Sequence, residues 1–219
     1  MKKFILFLSA LGLLLIPTLA NANVTMGVTI SDNSLDTAGT EDVDNDGTID
    51  DTKNVTDEFI VGSIFIEKTV MGDRFGLTLG VDYIPFDADI DKRSITQSSN
   101  GTSGTNSVEG TVDGHRTIYL QPGMSFGTNS MLYLTYGFVS ADVEGRSSSL
   151  THTDITETKD LDGTKTGIGI KRVNDNGLVL KFDYSETDYD AVSFTTDNDT
   201  KATADLDNKS IALSIGKQF

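Results

Sequence analysis

The chain lacks the residues on which many binding and catalytic sites depend. None of its 219 residues is a cysteine, which excludes disulfides, thiolate metal ligands and thiol nucleophiles. It contains only two histidines, which nearly excludes a multi-histidine zinc centre. Basic residues are scarce as well: 17 Lys and Arg stand against 33 Asp and Glu, so nucleic acid is not expected as a partner.

Long apolar runs are lacking everywhere except at the N-terminus. There, Lys2 and Lys3 precede an apolar stretch from Phe4 to Leu15, and Ala20-Asn21-Ala22 fits the small-x-small cleavage rule. This pattern predicts a signal peptide over residues 1–22; the alternative, a helical membrane anchor, would need a longer run. We expect residues 23–219 to form one domain, which is either soluble in the periplasm or enters the outer membrane as strands.

The last ten residues alternate strictly between apolar and small or polar side chains. Ile211, Leu213, Ile215 and Phe219 share one face, and nothing follows them that could cover it. A strand whose apolar face points at lipid needs no cover. The ending resembles the terminal strand of bacterial outer-membrane β-barrels, in which the barrel assembly machinery reads a final Phe. The resemblance implies that Phe219 is an assembly signal and that Lys217 departs from the usual aromatic or apolar residue.

The same period-two alternation predicts seven further strands, joined alternately by short turns and long polar segments. The strands are predicted over Val24–Ile30, Phe59–Lys68, Phe75–Ile84, Thr117–Phe126, from Met131, Lys165–Val173 and Leu178–Thr187. Tight turns are predicted at 71–74, 127–130 and 174–177, and long segments at 31–58, 87–114, 144–162 and 190–207.

Eight strands with connections sorted by length predict an all-β fold, an eight-stranded antiparallel transmembrane β-barrel. Short turns would face the periplasm and four long loops the exterior. The architecture of the region 23–219 resembles the small outer-membrane barrels of the OmpA-barrel and OmpX type. The second strand is ambiguous, because Phe59, Val61 and Phe65 occupy one parity and Ile60, Ile64 and Ile66 the other.

The residues predicted to face the lumen are glycines and paired charges. We expect the glycines to leave wet pockets around a lysine–aspartate network, because buried charges must be paired or hydrated. Close packing of a small barrel and a narrow solute path remain as alternative interpretations. The network would comprise Asp82, Lys165, Lys171, Lys181 and Asp183, and the glycines are Gly27, Gly76, Gly80, Gly123, Gly137, Gly167, Gly169 and Gly216.

The excess negative charge lies in the long segments, either to solvate loops or to attract cations. Asp42, Asp44 and Asp46 precede Gly47, with Asp50 as a further ligand, in the pattern of an EF-hand-like calcium loop. Lys53 stands where the bidentate Glu should be, so we predict weak calcium binding or a solvated acidic loop. The stretch 94–107, rich in Ser, Thr, Gly and Asn, predicts a mobile loop.

The histidines His115 and His152 are the candidates for catalysis. Two small barrels of the resembled family modify lipid A with a His and a Ser partner, but no His-x-Ser pairing occurs here. We predict no enzyme activity and no cofactor apart from weak calcium. The predicted role is structural or surface interaction through acidic loops; the alternatives are a narrow cation-preferring porin-like channel and, third, a lipid-modifying enzyme. Predicted partners are outer-membrane lipid, the barrel assembly machinery and an unidentified extracellular ligand or solute.

Overall fold

Alternating apolar and polar residues form long antiparallel strands in the computed structural model. The structure describes residues 22–42, 46–99, 102–148, 155–195 and 201–219. Residues 1–21 of the predicted signal peptide, Asp44 and His152 lie outside these ranges, whereas Ala22 already pairs with Val70. In the part of the chain so described, no helix is long and apolar enough to cross a membrane.

The strands close into a ring. The segments β3 (Phe75–Tyr83) and β4 (Ala88–Ser99) are successive parts of one barrel strand, because both pair with β5 (Thr102–Phe126) and only residues 84–87 separate them. The ring therefore has eight antiparallel strands, and the prediction of an all-β, eight-stranded antiparallel barrel is confirmed. The strand segments are β1 (Ala22–Asp42), β2 (Asp51–Met71), β3 (Phe75–Tyr83), β4 (Ala88–Ser99), β5 (Thr102–Phe126), β6 (Ser130–Ser148), β7 (Ile155–Val173), β8 (Leu178–Thr195) and β9 (Lys201–Gln218).

Three short turns lie at one end of the barrel, at the positions predicted. They occupy residues 72–74, 127–129 and 174–177. Gly127 and Gly177 have φ of 64° and 76°, a conformation that other residues adopt at a cost. The first residues of β1 and the C-terminus lie at the same end, where the amide of Phe219 donates to the carbonyl of Val24 at 2.8 Å. We call this the turn end and the opposite end the hairpin end.

The predicted long loops are mostly strand. β1 and β2 stay paired up to Glu41 and Asp51, so the stretch 31–58 is largely a hairpin. The same correction applies to 87–114, 144–162 and 190–207, into which β4 to β9 extend. The described residues of the stretch 94–107, which was predicted as a mobile loop, form most of the β4–β5 ladder. A strand in water needs no apolar outer face, so polar sequence was a poor guide to loops here.

A belt of exposed apolar side chains surrounds the half of the barrel next to the turn end. The belt shows which face of β2, the second predicted strand, points outward. Ile60 and Ile64 face outward, while Phe65 and Glu67 are buried inside. Every barrel strand contributes. The members that are at least about two-fifths exposed include Met26, Val28, Ile30, Ile60, Ile64, Phe75, Leu77, Tyr83, Leu120, Met124, Phe126, Leu132, Leu134, Tyr136, Phe138, Ile168, Ile170, Leu180, Phe182, Tyr184, Ile211, Leu213 and Ile215.

The pattern reverses in the half next to the hairpin end. In β6 the exposed apolar residues end at Phe138, and from Val139 onward the apolar residues face inward and are buried. We call the two parts the turn half and the hairpin half. The buried apolar residues of the hairpin half, with partly buried ones packed against them, form one cluster that we call the outer core. The buried members are Val139, Ala141, Val143, Leu161, Tyr189 and Val192, and the partly buried ones are Leu35, Val112, Phe194 and Leu206.

The ring is closed by the β2–β3 ladder, which runs from the Ile64–Tyr83 pair to the Met71–Gly76 pair. Beyond Ile64, the described pairings of β2 are with β1, and those of β4 are with β5. The closed part of the ring therefore coincides with the turn half, where the lumen site lies.

Candidate functional site in the barrel lumen

The centre of the lumen is a buried carboxylate. Glu67, on β2, has no exposed surface, and its two oxygens each accept from a lysine. Oε1 lies 2.7 Å from Nζ of Lys171, and Oε2 lies 2.8 Å from Nζ of Lys181. The hydroxyl of Tyr119 also donates to Oε2 at 2.9 Å. Two ion pairs and a hydrogen bond on one carboxylate supply the partners that a buried charge requires.

Aromatic rings enclose the second lysine. Nζ of Lys181 lies 5.2 Å, 5.4 Å and 5.3 Å from the ring centroids of Phe65, Tyr119 and Tyr133. At these distances each ring attracts the ammonium through its π face. We call Phe65, Glu67, Tyr119, Tyr133, Lys171 and Lys181 the inner cluster. It joins β2, β5, β6, β7 and β8 across a lumen that eight strands make only wide enough for side chains.

The inward glycines make room for these rings. A methyl group on Gly80 would overlap the ring of Tyr119, and one on Gly169 would lie 2.6 Å from Cζ of Tyr133. A methyl on Gly27 would lie 2.7 Å from the ring of Phe65. Our prediction that the glycines leave wet pockets is therefore wrong at these positions, because aromatic side chains from neighbouring strands lie on them.

The predicted lysine–aspartate network is arranged differently. Both Lys171 and Lys181 pair with Glu67, a residue that the prediction did not include. Asp183 accepts a hydrogen bond from the Tyr133 hydroxyl at 2.6 Å, and Asp82 accepts one from the Ser63 hydroxyl at 2.7 Å.

Lys165 lies closer to the hairpin end than Lys171 does. It pairs in register with Gly137 and Thr187 and interacts with Asp82 electrostatically. The five predicted residues thus line one lumen, and the carboxylate that joins two of them came from the strand whose parity was ambiguous.

The outer core is a second group of packed inward side chains, contributed by β1 and by β5 to β9 beyond the closed part of the ring. Ala141 is fully buried, and Val139 and Leu161 are each 3% exposed. At the edge of this core, Nε2 of His115 lies 3.0 Å from the hydroxyl of Tyr189. His115 therefore contacts a tyrosine rather than a serine, and the prediction of no enzyme activity stays a prediction.

The proposed calcium loop is a capped turn in the described residues. The carboxylate of Asp42 accepts from the amides of Asp46 at 3.1 Å and Gly47 at 2.9 Å. Asp46 accepts from the amide of Thr48 at 2.7 Å, and hydrogen bonds from the Thr48 side chain and from this amide lower the pKa of Asp46. Asp50 is exposed. Among the described residues no three His, Cys, Asp or Glu side chains are grouped to hold a metal, and calcium binding stays a prediction.

The outward face of the hairpin half is acidic. The pKa of Asp113 is raised, first by partial burial and next by the negative charges of Asp142, Asp87 and Glu144. This carboxylate is therefore held among like charges. We call the outward acidic residues the acidic wall. They include Asp32, Asp36, Glu58, Asp113, Asp142, Glu144, Glu186, Asp188, Asp205 and Asp207.

Phe219 lies at the turn end with its side chain 75% exposed. That exposure leaves the ring accessible, and its role as an assembly signal stays a prediction.

Comparisons with known proteins extend to the fold alone. No family model matches the chain, and no curated protein matches it. Solved structures do: Ail of Yersinia pestis, in complex with the heparin analogue sucrose octasulfate, is 14% identical with a TM-score of 0.40, over 91% of this chain and 99% of that one. The outer membrane protein OprG of Pseudomonas aeruginosa is 14% identical with a TM-score of 0.47, over 91% and 96%. The N-terminal β-barrel domain of OprF from the same organism is 10% identical with a TM-score of 0.32, over 85% and 97%.

Proposed function

We propose that this protein is an outer-membrane β-barrel with a closed lumen that holds a rigid acidic surface above the membrane. The apolar belt supports the membrane location, because a contiguous apolar face contributed by every barrel strand is costly in water and favourable in lipid. The turn end would face the periplasm and the hairpin end the exterior. The role is therefore structural or one of surface interaction.

The observation that supports the closed lumen is that two groups of packed side chains, of different chemistry, lie at two levels inside the barrel. The inner cluster blocks the turn half with paired charges and rings. The outer core packs apolar side chains of β1 and β5 to β9 against one another in the hairpin half. A conducting path would have to break ion pairs at one level and expose apolar surface at the other, and both steps are unfavourable.

The acidic wall favours a partner of cationic chemistry. Like charges around Asp113 repel one another, and a bound cationic surface would relieve that repulsion. Ail was crystallised with a sulfated polyanion, whereas the wall of this chain would repel one. We therefore expect proteoliposomes of this protein to retain polylysine and not heparin; retention of heparin alone would contradict the cationic partner.

The test of the closed lumen is single-channel recording in planar bilayers. The parent should give no stepwise conductance. Lys181→Ala and Leu161→Ala, which each disturb one level, should also stay silent because the other level remains closed. Insertion of each protein is verified by its faster gel migration before boiling. Regular conductance steps from the parent would contradict the proposal and favour the narrow cation-preferring channel.

A further inference from the structure

The charged strand residues that face outward near the turn end are all cations. Lys68, Arg172 and Lys217 face outward within three residues of the ends of β2, β7 and β9. Among the described strand residues at this end of the belt, these are the charged outward positions, and Asp73, Arg74 and Asp175 lie in the turns instead. The acidic wall occupies the opposite end of the same strands, so the barrel surface is polarised along its axis.

These three cations form an arc. The ladders run in the order β7–β8–β9–β1–β2, so the cations lie on every second strand. Adjacent strands are 4.7–4.9 Å apart, which places successive cations about 10 Å apart around the barrel. The strands outside the arc carry apolar residues instead of cations near the turn end. These are the exposed Phe75, Phe126 and Leu132.

Each cation has apolar neighbours on the lipid-facing surface. Lys217 pairs in register with Met26 and Leu178, Lys68 with Val24 and Leu79, and Arg172 with Leu180. A long basic side chain in this setting lays its stem on apolar surface and extends its charged group to the membrane interface. The ammonium of Lys217 reaches the turn in this way, where it contacts the carbonyl of Asn176. An ammonium has three donors, so this contact leaves donors for an anion.

We propose that Lys68, Arg172 and Lys217 bind the headgroup phosphates of anionic phospholipids around the turn end. The inference rests on the proposed membrane location. The adjacent belt selects a lipid over a free anion, because it holds the acyl chains while the cations hold the phosphates. Two such cations about 10 Å apart, with apolar strand between them, offer each headgroup a charged contact and each tail an apolar one.

The test compares thermal unfolding in nanodiscs of phosphatidylcholine with unfolding in nanodiscs that also contain phosphatidylglycerol. Phosphatidylglycerol should raise the unfolding midpoint of the parent. The variant Lys68→Gln, Arg172→Gln, Lys217→Gln should lose most of that rise. The matched control Lys53→Gln, Arg146→Gln, Lys209→Gln removes the same charge from exposed cations of the hairpin half and should keep it. Arg172→Gln alone, at an exposed side chain, should lose a measurable part.

Three results would overturn the proposal. An equal rise for parent and both triple variants would show that the arc is not the binding site. A rise of the same size on adding inorganic phosphate to phosphatidylcholine nanodiscs would assign the effect to a free anion. No rise in a correctly inserted parent would remove lipid selectivity. Failure of the parent to insert at all would instead contradict the membrane location and the inference with it.

Discussion

The turn half and the hairpin half of the barrel bury opposite kinds of side chain on the same strands. In β6, Leu134 is 59% exposed on the outside and Tyr133 is 1% exposed within, beside charged groups. Eight residues after Leu134, Asp142 occupies the same outward face, while Ala141 and Val143 lie inside the outer core. The solvent outside the barrel explains the reversal: lipid requires an apolar exterior, whereas water allows a polar one.

The two halves are consequently stabilised by different interactions. The turn half gains little from excluding water on its outer face and fixes its interior with ion pairs and hydrogen bonds around Glu67. The hairpin half gains from apolar burial, in the way that a soluble β-sheet protein does. Changes of charge inside the barrel should therefore matter most in the turn half.

The largest effect is expected from removing the shared carboxylate. Glu67→Ala leaves Lys171 and Lys181 buried without their anion, which should cost about 3–5 kcal/mol of unfolding free energy. Glu58→Ala, on the exposed outer face of β2, removes the same charge and should cost close to nothing. The measurement is urea unfolding in liposomes followed by circular dichroism. Equal costs would show that the inner cluster is not the stabilising element of the turn half.

Placing one cation at two heights on the outside of β6 should separate the halves. Leu134→Arg puts a charge in the belt and should cost about 2–4 kcal/mol if the site lies at the midplane. Asp142→Arg, on the same face, places a cation in water beside carboxylates that repel one another. This change should cost nothing or stabilise the protein. The same unfolding assay measures both. Equal tolerance would remove the distinction between a lipid-facing half and a water-facing half.

A smaller effect is expected from a single methyl group. Gly80→Ala forces the Tyr119 ring from its place and should cost about 1–3 kcal/mol, as overpacking does. Gly62→Ala, on the outer face of the neighbouring strand with open space around it, should be neutral. The difference in urea midpoint measures the effect. If Gly80→Ala were also neutral, the rings would not be packed against the glycines.

The predictable part of the fold is the part where lipid imposes a pattern. Period-two alternation located every barrel strand in the belt, and the three turns followed from glycine and asparagine between alternating segments. The hairpin half was predicted as loop because its outward residues are polar. Its inward residues, such as Leu35, Leu161 and Leu206, are separated by polar neighbours and small side chains that leave the alternation weak.

Bulges obscured the alternation further. The β5 ladder shifts between Asp113 and Arg116, and the β8 ladder between Tyr189 and Val192. Each extra residue changes which parity faces inward, so a fixed alternation fails beyond it.

The lumen site was only partly predictable for a related reason. Lys171 and Lys181 stood out because cations on an inward face need partners. Glu67 did not, because β2 carries apolar residues on both parities, Phe65 on one and Ile64 and Ile66 on the other. The ladder of β2 with β1 and β3 decides the matter by placing Gly27 and Gly80 beside the inward residues of β2.

The most direct test of the reversal is a single-cysteine scan along β6, which the absence of native cysteine makes possible. Variants from Leu132 to Glu144 in liposomes are labelled with a spin probe, and accessibility to oxygen and to a water-soluble nickel complex is measured. Even positions should favour oxygen up to Phe138 and nickel from Ser140 onward, while Val139, Ala141 and Val143 should be protected from both. Nickel access at Val139, Ala141 and Val143 equal to that at Ser140 and Asp142 would contradict the account and return the hairpin half to a solvated loop.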